Sequence, residues 1–175
     1  VDGDGVGEIC TAVQGGLVVQ DLHGGEEKYR FEWEAGGQQQ RNYGQCCVAD
    51  VDGDGVNEIV VMDDLIALQV VVIKVEYGRA RALWSKYWGW WYPFSGHLLH
   101  FVPLSVCDVD GDGQLEVALS IYDEGWRVHL YDGVSGALKL EQCNSYLESV
   151  CDIDGDGHAE LLVSQQSSLT PREYA

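Results

Sequence analysis

Positive charge is scarce in this chain. Ten Lys and Arg stand against 29 Asp and Glu, a formal net charge of −19 over 175 residues. A chain so charged repels phosphate backbones and anionic lipid surfaces, which excludes nucleic acid and anionic membrane as partners. Long hydrophobic runs are also missing. No stretch of eighteen apolar residues exists, so no helical membrane insertion is expected. The chain has no initiator Met and no signal-peptide pattern. It opens on Val1-Asp2-Gly3-Asp4-Gly5, a motif with its first residue cut away, and so reads as a piece of something longer or as a processed product. No G-x-S-x-G, P-loop or C-x-x-C occurs, and no convincing amphipathic helix. Disorder is excluded from the other side, because 46% of the residues are apolar.

What is present is repetition. Asp50-Val51-Asp52-Gly53-Asp54-Gly55-Val56-Asn57-Glu58 returns as Asp108 to Glu116 and again as Asp152 to Glu160. The opening segment supplies a fourth copy without position 1, through Asp2, Asp4 and Glu8. The pattern is D-x-D-G-D-G-x-x-E, followed each time by aliphatic residues such as Ile59-Val60-Val61 and Val117-Ala118-Leu119. Successive copies are offset by 50, 58 and 44 residues, the period of a blade or solenoid unit. Fifteen of the 29 acids lie in these loops.

Carboxylates crowded in this way repel one another unless a hard cation sits among them. Calcium takes six to eight oxygens in flexible geometry, whereas magnesium resists losing its waters. Asp at positions 1, 3 and 5 and Glu at position 9 are candidate side-chain ligands. The position-7 carbonyl, on Val56, Gln114 and His158, is a candidate backbone ligand. Gly at position 6 permits the turn. The EF-hand loop shares D-x-D-x-D-G but needs Glu at position 12 and flanking helices. Position 12 here is Val61, Leu119 and Val163, so the EF-hand is rejected. A single D-G-D-G also suits a plain polar hairpin turn. Four copies at matched offsets, each keeping its Glu, argue for the metal.

Between the loops the chain reads as strands. "YGQCCVAD" and "HFVPLSVCD" lead in, and "NEIVVMD" and "LEVALSIYD" lead out. "LQVVVIKVEYG" and "WRVHLYDG" make third strands, and "RALWSKYW" and "ALKLEQC" fourth strands. Four short strands in each unit of about 45 residues describe a β-propeller blade. The expected units are 1–42, 43–97, 98–144 and an incomplete 145–175.

These loops resemble the FG-GAP (VCBS-type) repeat of integrin α-subunit propellers and many bacterial extracellular proteins. The resemblance implies an all-β fold of four-stranded antiparallel blades. About three blades and a partial fourth would belong to a propeller of about seven or eight. It implies three to four Ca²⁺ ions. Asp50, Asp52, Asp54 and Glu58 would hold one. Asp108, Asp110, Asp112 and Glu116 would hold the next, and Asp152, Asp154, Asp156 and Glu160 another. The first copy offers Asp2, Asp4 and Glu8. An open arc of blades exposes sheet faces, so other blades or other chains are expected to complete it.

A metal ringed by four carboxylates leaves little room for substrate, which favours a structural role. Sites of this class match calcium levels outside cells, at the cell surface or in the secretory lumen. Adhesion, recognition or assembly is the expected function, with a protein partner or a glycan as ligand. The alternative is the propeller portion of a polysaccharide-active enzyme, since rhamnogalacturonan lyases are similar in carrying Ca²⁺ loops on propellers.

Three further features stand apart. "LWSKYWGWWYPF" gathers Trp84, Tyr87, Trp88, Trp90, Trp91 and Tyr92. It reads equally as a recognition surface or as packing between blades. His97 and His100 in "GHLLH" lack an evident third ligand. The six Cys are expected as small buried residues, although an even count also permits disulfides.

Overall fold

The computed structural model describes residues 2–13, 16–32, 44–63, 67–90, 104–122 and 125–165. Every regular element among them is a β-strand, and every pairing is antiparallel. No helix among the described residues is long and apolar enough to cross a membrane. The chain divides into two compact units, Val1–Leu99 and His100–Ala175.

The first unit holds two sheets. β1 (Glu8–Val13), β2 (Gly16–Asp21) and β3 (Glu27–Glu32) form a three-stranded meander. β4 (Gly44–Ala49), β5 (Glu58–Asp63), β6 (Ala67–Glu76) and β7 (Arg79–Trp90) form a four-stranded one. The runs Ile59-Val60-Val61-Met62 and Val70-Val71-Val72-Ile73 are β-branched almost throughout, which suits a pleated strand and penalises a helix. All eight side chains are buried. Alternation sends Ile59, Val61, Val71 and Ile73 to one face, where Leu17 and Val19 of β2 meet them. Tyr29, Phe31, Cys10 and Ala80 fill the margin of this cluster. Each fully buried aliphatic side chain contributes about 1.5–3 kcal/mol, so this contact accounts for much of the unit's cohesion.

β6 and β7 are joined by a two-residue turn, Tyr77-Gly78, with φ of 51° and 75°. Positive φ at both positions is the geometry that matches strand twist in a tight hairpin.

The second unit repeats the plan. β8 (Leu104–Cys107), β9 (Glu116–Tyr122), β10 (Trp126–Asp132) and β11 (Leu138–Cys143) form a four-stranded meander. β12 (Ser145–Cys151) and β13 (Glu160–Gln165) form a two-stranded sheet. Leu147 of β12 is fully buried against Ala118, Val128 and Leu130, with Val109, Val150 and Leu161 around them. The Leu147 N–H donates to the buried Ser120 hydroxyl at 2.8 Å, a bond that ties β12 to β9 and satisfies a buried backbone group. Trp126 and Tyr146 meet edge to face at 4.7 Å.

In each sheet the acidic loop sits next to the strand pair that it serves. It joins β4 to β5, β8 to β9 and β12 to β13, and in the first sheet it leads into β1.

Candidate metal centre

The four loops are built alike. The position-5 Asp accepts the backbone N–H of position 7 at 2.8 Å in every copy: Asp4 from Val6, Asp54 from Val56, Asp112 from Gln114 and Asp156 from His158. The position-1 Asp accepts from two backbone N–H groups at once. Asp108 takes Gly111 and Gly113 at 2.7 and 2.9 Å, and Asp152 takes Gly155 and Gly157 at 2.6 and 3.0 Å. Asp50 takes Asp54 and Gly55 at 3.0 and 2.9 Å. The position-9 Glu accepts the N–H of position 2 through Oε2, from Val51, Val109 and Ile153 at 2.9, 2.8 and 2.7 Å. Backbone donors aimed inward are what allow like charges to share so small a loop. The turn needs two glycines. Positions 4 and 6 both have positive φ, for example 73° at Gly53 and 88° at Gly55. The sequence reading assigned that role to position 6 alone.

The carboxylates converge. Asp50, Asp52 and Glu58 each offer an oxygen, and the three lie within 4.8 Å of one another. The same holds for Asp108, Asp110 and Glu116, for Asp152, Asp154 and Glu160, and for Asp2, Asp4 and Glu8. In the three complete loops the trio comes from positions 1, 3 and 9. Asp54, Asp112 and Asp156 stand beside it, each with one oxygen given to the position-7 N–H. Glu58 and Glu116 are fully buried. The Oδ1 of Asp52 is buried and has no hydrogen-bond partner, and the buried Oε1 of Glu58 meets only the Lys74 ammonium, at 3.3 Å. Burial pushes the Glu58 carboxyl above its ordinary range against the pull of the Val51 N–H, and the charge of Asp52 adds to the rise. Hard oxygen donors converging on one point are the chemistry that a cation satisfies.

The sequence reading missed three lysines. The chain contains only four, and three of them lie on these loops. Lys28 of β3 donates to Asp4, Glu8 and Asp2 at 2.6, 3.1 and 3.3 Å. Lys139 of β11 donates to Glu116, Asp110 and Asp112 at 2.6, 2.8 and 3.5 Å. Lys74 of β6 bonds Asp52 and reaches Asp54 at 2.7 Å, with Glu58 Oε1 at 3.3 Å. Asp4, then Glu8 and Asp2, hold the Lys28 ammonium well above the usual lysine range. Asp110 and Glu116 do the same for Lys139. At Lys74 burial works against the charge, but Asp52, Asp54 and Glu58 outweigh it. In return, Lys74 lowers Asp54 and Lys139 lowers Asp110. Tyr29 adds a hydroxyl donor to Asp2 at 2.7 Å.

A signal for two of these lysines is present in the sequence. Asp21 and Asp132 each begin a β-hairpin turn with Gly four residues on and Lys seven residues on. Both turns are closed in the same way. Asp21 accepts from His23 and Gly24, Asp132 accepts from Ser135, and Gly25 and Gly136 have φ of 65° and 67°. Lys74 comes from a different strand and has no such signature.

The remaining candidates scatter. Trp84 is buried on β7 and Trp88 half-buried, whereas Tyr87 is 54% exposed. Trp90 ends β7, and Trp91, Tyr92, His97 and His100 lie outside the described residues. None of the six cysteines is fully buried, against the expectation of small core residues: Cys46, Cys143 and Cys151 are exposed and Cys10, Cys47 and Cys107 half-buried. Desolvation, with Glu116 and Asp108 nearby, pushes Cys107 up to about 11, so its thiol is protonated and unreactive near neutrality.

Fold and site together define an all-β protein of antiparallel sheets with repeated acidic clusters able to hold a metal ion. The chain matches no protein-family model and no curated protein.

Proposed function

We propose that this chain is a calcium-stabilised segment of a β-propeller, built of FG-GAP-like repeats and serving as an exported scaffold for adhesion or assembly. The observation that carries the reading is the recurrence of a converging carboxylate trio, with oxygens within 4.8 Å, in all four loops: from positions 1, 3 and 9 in the three complete loops and from positions 3, 5 and 9 in the first. Calcium accepts crowded carboxylate oxygens in flexible geometry, whereas magnesium gives up its waters reluctantly, which is the ground for naming calcium. Sheets of three and four antiparallel strands, arranged as meanders with the loop at the same place in each, are compatible with propeller blades. The ion's task is structural. It neutralises the loop and ties together the two strands that the loop joins. At millimolar calcium and a Kd of roughly 10⁻⁴ M, each filled site adds about 1–1.5 kcal/mol. Other blades, or further chains, would cover the sheet faces, and the ligand is a protein or a glycan.

Two measurements test this. Calorimetric titration of the metal-free chain with Ca²⁺ should give three to four bound ions, and EDTA should lower the melting temperature by several degrees. A melt unchanged between millimolar Ca²⁺ and EDTA, with no heat of binding, would sink the proposal.

A further inference from the structure

We propose that Lys28, Lys74 and Lys139 are built-in counter-cations. Each ammonium occupies the position of the ion in its loop and must be displaced before a divalent cation enters. The inference rests on the calcium reading above and adds an order of filling to it.

The argument begins with shared oxygens. Lys28 binds the same three carboxylates that form the first trio: Asp2, Asp4 and Glu8. Lys74 lies on Asp52 and Glu58 of the second trio, and Lys139 on Asp110 and Glu116 of the third. An ammonium at 2.6–3.3 Å from these oxygens and a metal bonded to the same oxygens cannot coexist. Occupancy is therefore an exchange. The lysine stays protonated and swings out to solvent, and the loop trades one positive charge for two.

Chance placement is a poor account of the lysines. Four lysines serve the whole chain, and three end on acidic loops. They arrive by two structural routes. Lys28 and Lys139 are each the second residue of a strand that follows an Asp-headed turn, whereas Lys74 comes from within β6. Two routes to one position mean that the position, rather than the local fold, accounts for the lysine. The consequence is a scaffold whose loops stay folded when metal is scarce. Its metal affinity is correspondingly lower, because the ion must first break charge-assisted hydrogen bonds.

The three loops should not exchange equally. The Lys139 and Lys28 side chains are 26% and 18% exposed and sit near solvent. Lys74 is 3% exposed and faces a fully buried Glu58, so it has the longest way out. It should be released last.

The test uses the whole chain and Ca²⁺ alone. Calorimetry of the wild type should resolve sites of unequal affinity, the Lys74 loop the weakest. K28M, K74M and K139M should each tighten one weak site by about tenfold or more, the worth of a charge-assisted hydrogen bond. A second measurement needs no variant. Amine acetylation read by mass spectrometry should find Lys28, Lys74 and Lys139 protected without metal. They should become labelled as Ca²⁺ rises, Lys74 at the highest concentration. Calcium binding with equal affinity in wild type and variants, or labelling that ignores calcium, overturns the displacement and leaves the calcium reading intact. Absence of binding in the wild type and in all three variants overturns the calcium reading itself.

Discussion

The imidazole of His158 lies over Gly111 so closely that a Cβ built on that glycine would be 2.9 Å from both Cε1 and Nδ1 of the ring. The residue at position 7 of one loop thus rests on the position-4 glycine of the loop before it. The Ala159 N–H donates to the Asp108 carbonyl at 3.3 Å across the same junction. The first unit repeats the contact, with Val56 Cγ2 3.3 Å from the Cβ position of Gly3. Gly111→Ala should therefore destabilise the protein twice over, through φ of +75° and through the imidazole. The expected cost is about 1–3 kcal/mol in urea unfolding, of which H158A should return the steric part but not the backbone part. A double-mutant cycle with no coupling would show that the two loops do not touch in solution.

Glu58 is the hub of its loop. Its Oε2 accepts the Val51 N–H, its Oε1 faces Lys74, and the side chain is inaccessible to solvent. Glu58→Ala leaves the N–H unpaired and Lys74 with one acidic neighbour fewer. In EDTA it should cost about 2–3 kcal/mol. Glu160→Ala, at a half-buried position with no lysine among the described residues, should cost less under the same conditions. Equal losses at the two sites would contradict this account of burial.

Tyr77 occupies the first position of the β6–β7 turn at φ 51° and is fully exposed. The left-handed region penalises a bulky residue there, and no burial offsets the penalty. Tyr77→Asn gives the Asn-Gly pair that such turns favour. Thermal melts should register a gain of about 0.5–1 kcal/mol. A variant no more stable than wild type would mean that Tyr77 has a neighbour in solution.

Acid should weaken the metal-free protein through its lysine-paired carboxylates. Lys74 and then the Val56 N–H hold Asp54 below its ordinary value, and Lys139 does the same for Asp110. A carboxyl lowered on folding contributes stability that is complete above the unfolded value near 3.8. That stability is lost as pH falls through the folded value. Glu58 runs the other way. Burial raises it, so its contribution is present at acid pH and lost as pH rises through the folded value. Urea midpoints taken in EDTA between about pH 2 and pH 6 should fall on the acid side, and D54N with D110N should flatten that limb. A double variant with an unchanged limb would place the effect elsewhere.

Much of the fold was legible in the residues. Runs such as Val70-Val71-Val72-Ile73 fit no surface helix, and the turn residues between runs mark where each strand stops. The strands β4 to β11 and the four acidic loops follow from signals a few residues long. The loop chemistry was legible for the same reason. Positions 1 to 9 bond one another, so Asp108 finds Gly113 wherever the loop is placed. Less legible was the division of labour within the loop. Spacing cannot tell that positions 1, 3 and 9 converge while position 5 turns an oxygen to the backbone. Nor could composition tell that Trp84 would be buried and Tyr87 exposed, since strand alternation assigns faces only once the packed side is known.

The amino-acid order by itself determined where this chain bends, where it pleats, and which carboxylates are gathered into each turn, because those outcomes depend on neighbours within about nine residues. Only the tertiary structure decided which cation those carboxylates meet. Lys28, Lys74 and Lys139 follow the glutamates of their loops by 20, 16 and 23 residues and arrive from other strands of the sheet. Which loop each lysine meets is set by strand order and register; the Asp-headed turn marks Lys28 and Lys139 locally, but nothing local marks Lys74. The same holds for His158 on Gly111, where two turns distant in sequence touch because the sheets that carry them share one core around Leu147.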